Sequence, residues 1–181
     1  MMQRLYLQRH CEPVPGHPMD STRQLTAEGQ RQAREMAAFM VRHIGRVDIV
    51  ISSPFARTME TAEVMADALG AHVVSTRLLE PDANDMPATW AEVERISQAS
   101  DHVLLVGHHP SLPALLNWLI AGGVFRFEHG AIAHVKAAAK DQATHPRVQA
   151  TLHWFVDIKI VERDVLEDVA EAAQRFAAAI A

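Results

Sequence analysis

Short apolar runs alternate with helix-spaced segments from the start of the chain, and this alternation restricts the fold more than any other feature. Arg4-Leu5-Tyr6-Leu7-Gln8-Arg9-His10 reads as a buried strand. After a turn-rich loop containing Pro13, Pro15, Gly16, Pro18, Asp20 and Ser21, Thr26 opens a segment with Ala33, Met36, Ala37, Met40, Val41 and Ile44 at helical spacing. Residues 47–51 form the next strand, and Ser53 with Pro54 reads as the N-cap and first residue of a helix ending at Gly70. Residues 72–75 and 102–106 are further strands, with a weak helix over 90–99 between them and a helix over 110–120 after them. Residues 131–138 and 147–156 alternate like strands, although 131–139 fits a helix equally well, and Val161 to Ile180 keeps helical spacing. Strands that alternate with helices imply a three-layer α/β/α sandwich around a mostly parallel sheet. The order of the strands does not follow from this pattern.

Composition narrows the class. The 181 residues fit a single domain over 1–181, at roughly 150 residues per domain. A net charge of −5 lacks the basic footprint of a nucleic-acid binder, so no nucleic-acid partner is expected. One cysteine allows neither an internal disulfide nor a thiol-rich zinc site. No run has the length of a membrane span and no signal segment is visible, so no membrane partner and a cytoplasmic location are expected. The outlier is histidine, with 11 in the chain.

Where the unusual residues fall is more telling. Arg9 and His10 end the first strand, Arg57 lies in the first turn after the second, and Gly107, His108 and His109 end the fourth. Open parallel sheets bind ligands outside the carboxyl ends of their strands, so three separate positions deliver arginines and histidines to one rim. Guanidiniums beside helix N-termini suit a phosphate dianion. A neutral imidazole is a competent nucleophile toward a bound phosphoryl group, and a second can stabilise the charge that develops. No glycine-rich phosphate loop of the nucleotide-binding kind is present. These residues read as metal-independent phosphoryl transfer. Ligation of a metal by His10, His108 and His109 is the competing reading, without a carboxylate or thiolate at ligand spacing to support it.

The same segments carry a family resemblance. Leu7-Gln8-Arg9-His10-Cys11-Glu12 resembles the Arg-His-Gly signature of the histidine phosphatase superfamily, also called phosphoglycerate-mutase-like. Residues 52–62, Ser-Ser-Pro-Phe-Ala-Arg-Thr-Met-Glu-Thr-Ala, match its Ser-Ser-Pro-x-x-Arg-x-x-x-Thr-Ala segment. Val106-Gly107-His108-His109-Pro110 is similar to the second-histidine motif in the form found in the SixA-type phosphohistidine phosphatases. Residues 23–29, Arg-Gln-Leu-Thr-Ala-Glu-Gly, resemble the stretch that opens the family's first helix, and residues 127–133 match more loosely.

The resemblance implies that His10 attacks phosphorus to give a phosphohistidine that water hydrolyses. It implies that Arg9 and Arg57 clamp the phosphoryl oxygens, and that His108 completes the phosphate pocket. It implies no metal and no organic cofactor. Glu80 is placed like the family's general acid, with Asp82, Asp85 or Glu12 as alternatives. Cys11, Arg23 and His109 are possible pocket residues, and His129 stands between pocket wall and loop. His17, His43, His72, His102, His134, His145 and His153 read as surface or packing residues.

Cys11 replaces the signature glycine and would carry strain if that position required a positive φ. A catalytically weak phospho-ligand-binding protein is therefore one alternative. Residues 11–56 and 81–107 leave little chain for a capping insertion, so the site is expected to be open. An open site suits phosphohistidine or another phosphorylated protein side chain. The enzymatic alternative is a broad small-molecule phosphomonoesterase or mutase.

Overall fold

Thr26 starts the first helix by accepting the Gly29 N–H on its side chain at 2.9 Å, and α1 runs Ala27–His43. Glycine is required at 29 because a Cβ there would lie 2.1 Å from the Glu12 carbonyl oxygen. The start of α1 therefore presses directly on the exit of β1 (Arg4–Arg9). The two are also joined by Thr26 N–H to the Glu12 carbonyl at 3.0 Å and by a bridge between Pro13 and Leu25. Val14 N–H donates to the Gln24 carbonyl at 2.9 Å, so the intervening loop is closed at its neck.

The remaining strands are β2 (Ile49–Ser52), β3 (His72–Ser75), β4 (His102–Gly107), β5 (Ile132–Ala137) and β6 (Ala150–Val156). The remaining helices are α2 (Ala56–Leu69), α3 (Met86–Ile96) and α4 (Ser111–Ile120). The computed structural model describes residues 4–16, 20–137 and 150–163. Six strands form one sheet in the order β3-β2-β4-β1-β5-β6. β1 to β4 are parallel, whereas β5 runs antiparallel to both β1 and β6.

Alternate strand residues face opposite ways, which divides the core in two. Tyr6, Val50, Leu104 and Val106 pack with Met36, Met40 and Met65 of α1 and α2 on one face. Leu5, Leu7, Ile51, Val103 and Leu105 pack with Trp90, Val93, Leu112 and Leu116 of α3 and α4 on the other. β1 and β4 are central neighbours, with Arg9 opposite Gly107, yet the helices that follow them lie on opposite faces. That divergence opens a crevice at their carboxyl ends.

Two helix starts differ from the sequence reading. α2 begins at Ala56 behind Phe55, which makes no side-chain cap bond, so Ser53 is not the N-cap. Its hydroxyl is engaged with His108 instead, and Pro54 lies outside the helix. α3 starts earlier than expected because Asp85 caps it, accepting the Ala88 N–H at 2.9 Å. Residues 131–138 resolve as strand rather than helix over the described part, because β5 is sandwiched between β1 and β6. Asp157 opens a helical segment whose described part ends at Arg163. Residues 138, 147–149 and 164–180 of the expected elements, together with His17, Pro18 and His145, lie outside the described residues. Among those described, no helix is long and apolar enough to cross a membrane.

Candidate active site

His10 sits one residue beyond β1, held by its backbone. Its N–H donates to the Gly107 carbonyl at 3.0 Å, and its carbonyl accepts the Gly130 N–H at 3.2 Å. The side chain is 4% exposed, with Nδ1 2.8 Å from the Cys11 carbonyl oxygen and Nε2 3.2 Å from Nε of Arg57. A guanidinium nitrogen can only donate, so Nε2 of His10 must be the acceptor. The ring proton therefore sits on Nδ1 and is donated to Cys11. This is the neutral tautomer with its lone pair on Nε2, facing an arginine. Burial is the main cause that pushes the His10 pKa down to about 2; the Cys11 bond opposes this, and His108, Arg57 and Arg9 add to it. The imidazole is therefore neutral at any ordinary pH.

Arg57, in the first turn of α2, is 3% exposed. A cation this buried needs acceptors. Asp20 supplies two, its carbonyl oxygen at 2.7 Å from Nη1 and Oδ2 at 2.9 Å from Nη2. The guanidinium also lies 5.0 Å from the centroid of the Phe55 ring. Arg9 donates through Nη1 to the Phe127 carbonyl at 2.7 Å and through Nη2 to Nε2 of His129 at 3.0 Å.

His108, at the end of β4, is 1% exposed, and its ring centroid lies 5.2 Å from that of His10. Its Nε2 is 2.9 Å from the Ser53 hydroxyl, while Nδ1 is buried without a hydrogen-bond partner among the described residues. Burial first, then Arg57, pushes the pKa of His108 down to about 3. The crevice thus gathers two neutral imidazoles, the buried guanidinium of Arg57 and the half-buried one of Arg9, which together can receive a dianion and present a nucleophile to it.

The other expected residues are placed differently. Cys11 is fully buried, and its thiol packs with Leu25 and Ala33. It contributes to the site through its backbone, by the carbonyl that holds His10 and an N–H that donates to the Thr61 hydroxyl at 3.1 Å. Its φ is not positive, so the substitution for glycine carries no left-handed strain. Burial raises the thiol pKa to about 12. Arg23 is 2.8 Å from Asp20 and joins the site through that carboxylate. His109 is exposed.

Glu80 follows the 3-10 turn after β3 and lies 3.8 Å from Arg77. Among the described residues no hydrogen bond or ion pair joins it to Arg9, His10, Arg57 or His108. Asp82 is exposed, Asp85 caps α3, and Glu12 accepts the Thr26 hydroxyl at 2.9 Å. No group of three or more His, Cys, Asp or Glu able to hold a metal ion occurs among the described residues.

Three residues gain roles that their sequence context hid, and His129, left between pocket wall and loop, joins the site. Asp20 looks like a turn former, and Ser53 like a helix cap. Thr61 links Cys11 to the Arg57 carbonyl, to which it donates at 2.8 Å; its position four residues after Arg57 was the available signal. The His129 ring lies 5.4 Å from that of His10.

A family model described as the histidine phosphatase superfamily (branch 1) matches residues 5–99. A search of curated proteins finds no matching sequence. Among solved structures, the chain resembles the protein histidine phosphatase SixA complexed with tungstate, at 24% identity and a TM-score of 0.73, over 87% of this chain and 99% of that one. It also resembles a candidate SixA-type phosphohistidine phosphatase from Agrobacterium tumefaciens, at 22% identity and a TM-score of 0.69, over 87% and 99% of the two chains. A mycobacterial glucosyl-3-phosphoglycerate phosphatase in complex with VO3 is similar at 15% identity and a TM-score of 0.66, over 84% and 98%. At these identities the likeness is one of fold, and it covers a larger share of the chain than residues 5–99.

Proposed function

Because the chain belongs to the histidine phosphatase superfamily, branch 1, we propose that it is a phosphatase working through a phosphohistidine at His10, without a metal ion. The observation that carries the reading is the pair of bonds on the His10 ring, which holds the proton on Nδ1 and the lone pair on Nε2 beside a buried arginine. An incoming phosphoryl oxygen takes over the Arg57 Nε–H, which uncovers the Nε2 lone pair. Nε2 then forms a bond to phosphorus as the bond to the leaving group breaks, and the leaving group departs with the electron pair and takes up a proton. Water attacks the phosphohistidine in a second displacement, releasing phosphate and restoring neutral His10. Arg9, Arg57 and His108 stabilise the charge on the transferring group in both steps.

The substrate we favour is phosphohistidine or another phosphorylated protein side chain. The short connections over residues 11–56 and 81–107 leave the crevice without a large cap, so a side chain presented on a protein can reach it. An imidazole leaving group also makes little demand on a general acid, which fits the position of Glu80 away from the bonds of the site. A small-molecule phosphomonoester is the alternative substrate, and Glu80 would then be the proton donor. The binding-only alternative loses its motive, since Cys11 has no positive φ and its buried side chain packs with Leu25 and Ala33. The buried reduced thiol suits a reducing compartment, and we place the enzyme in the cytoplasm.

Turnover of an aryl phosphate in chelator, by the parent chain and His10→Ala, tests the chemistry. Activity in the parent and none in the variant is expected, and equal rates would overturn the assignment. Profiling against a phosphohistidine protein and a panel of sugar phosphates tests the substrate class. Efficient hydrolysis of the sugar phosphates alone would refute the protein-substrate reading.

A further inference from the structure

The two arginines of the site are held in the same way. Arg57 gives Nη1 to the Asp20 carbonyl and Nη2 to the Asp20 carboxylate, while its Nε points at Nε2 of His10. Arg9 gives Nη1 to the Phe127 carbonyl and Nη2 to His129, while its Nε is buried without a hydrogen-bond partner among the described residues. In each case one backbone carbonyl and one side-chain acceptor occupy the terminal nitrogens, so neither holder takes the Nε–H, which Arg57 gives to His10 and Arg9 gives to no partner among the described residues. Resting on the phosphatase reading, we propose that Asp20 and His129 are positioning residues, one for each arginine. Each fixes the outer edge of a guanidinium so that the Nε edge is kept for the phosphoryl group.

The physical reason is preorganisation. A free arginine side chain carries substantial rotamer entropy, and a clamp that loses it before substrate arrives binds the transition state without that loss. Asp20 has a second effect. Its other carboxylate oxygen lies 2.8 Å from Arg23, so one carboxylate ties a buried cation to a half-buried one.

The two holders differ in one respect that can be measured. Asp20 is an anion at all working pH values, and its pKa is lowered by its bonds and charge contacts with Arg57 and Arg23, against the effect of burial. His129 can accept from Arg9 only while Nε2 is unprotonated, because Arg9 can only donate. Once protonated, it offers no acceptor and places a second cation beside Arg9. Burial first, then Arg9 and Arg23, holds the His129 pKa below its ordinary value, against Glu12 and Glu128, and the ring of His10 also faces it, so protonation comes on the acid side of the ordinary imidazole range. Acidification therefore releases Arg9 and leaves Arg57 clamped.

The test combines aryl phosphate kinetics in chelator with tungstate binding, from pH 8 down to pH 5, on the full chain and four variants. Asp20→Ala and His129→Ala are expected to lose about tenfold or more in both kcat/KM and tungstate affinity at pH 7.5, with the thermal midpoint little changed. Asp20→Asn and His129→Gln keep an acceptor in reach of the guanidinium and are expected to recover most of the loss. His129→Gln cannot be protonated, so its activity relative to the parent chain should rise as the pH falls. Alanine variants that match the parent, glutamine that does no better than alanine, or a constant ratio of His129→Gln to parent across the pH range would each overturn the proposal. A parent chain that binds tungstate but turns nothing over counts against the phosphatase reading alone, because tungstate affinity still separates the alanine variants from the conservative ones.

Discussion

Lowering the pH from 7 to 5 should remove a large part of the stability of this fold, and three histidines account for most of the loss. His10, His108 and His134 are all buried, and burial holds their pKa values down at about 2, about 3 and about 4. In the unfolded chain each returns to roughly 6.5. Below that value the unfolded chain binds protons that the folded one refuses, so stability is complete above pH 6.5 and falls as the pH drops toward the folded values. Each group then costs about 1.4 kcal/mol per pH unit, or about 2 kcal/mol between pH 7 and 5. Three together come to about 6 kcal/mol, against a typical total of about 5–15 kcal/mol. Urea unfolding at pH 7, 6 and 5 reads this directly as a falling midpoint. His134 allows a sharper version, because it lies on the sheet face stacked on Tyr6 with centroids 4.7 Å apart, away from the site, and neither ring nitrogen has a hydrogen-bond partner among the described residues. His134→Phe should keep the stacking and remove about a third of the pH dependence. A midpoint independent of pH, or a His134→Phe variant as acid-sensitive as the parent, would refute the reasoning.

Three further outcomes are expected. Arg57→Ala should lower aryl phosphate turnover by about 10²-fold or more, as for the loss of one preorganised donor, with folding checked by circular dichroism. Cys11→Gly should leave kcat/KM within a few-fold of the parent, and the native thiol should resist alkylation that the urea-unfolded chain undergoes, since burial holds its pKa near 12. Gly29→Ala should destabilise the chain by about 1–3 kcal/mol in denaturant titration, because its Cβ meets the backbone oxygen of Glu12, which cannot rotate away.

The layers of the fold were legible because periodicity is a local signal. The strand at Arg4–Arg9 and the helix behind Thr26 can be read from neighbouring residues alone. The order β3-β2-β4-β1-β5-β6 was not, since it is decided by which faces pack, and no short segment carries that information. The arginines and histidines of the rim were readable because strand ends can be located and charged groups there have few structural uses. Their partners were not. Ser53 before a proline has the chemistry of a cap, and Asp20 among prolines and glycine has that of a turn; only the meeting of β2, β4 and the loop after β1 turns each hydroxyl or carboxylate toward a ring or a guanidinium. Glu80 illustrates the converse. Its position followed from the family pattern alone, and its nearest charged contact is Arg77 rather than a residue of the site.

The closed neck of the loop after β1 separates two kinds of change that most active-site loops confuse. Pro13 and Leu25 are bridged, and Val14 meets Gln24, so the chain leaves and returns at one point, with His10 just outside it. Residues inserted between those ties add only slowly to the entropy of closure, by about 0.6 kcal/mol per doubling of length, and reach His10 only through Asp20 and Arg57. Loop length at this point becomes a free design variable. A longer tip can be grafted to contact a chosen protein surface while the reacting atoms stay in register, provided one carboxylate still returns to Arg57.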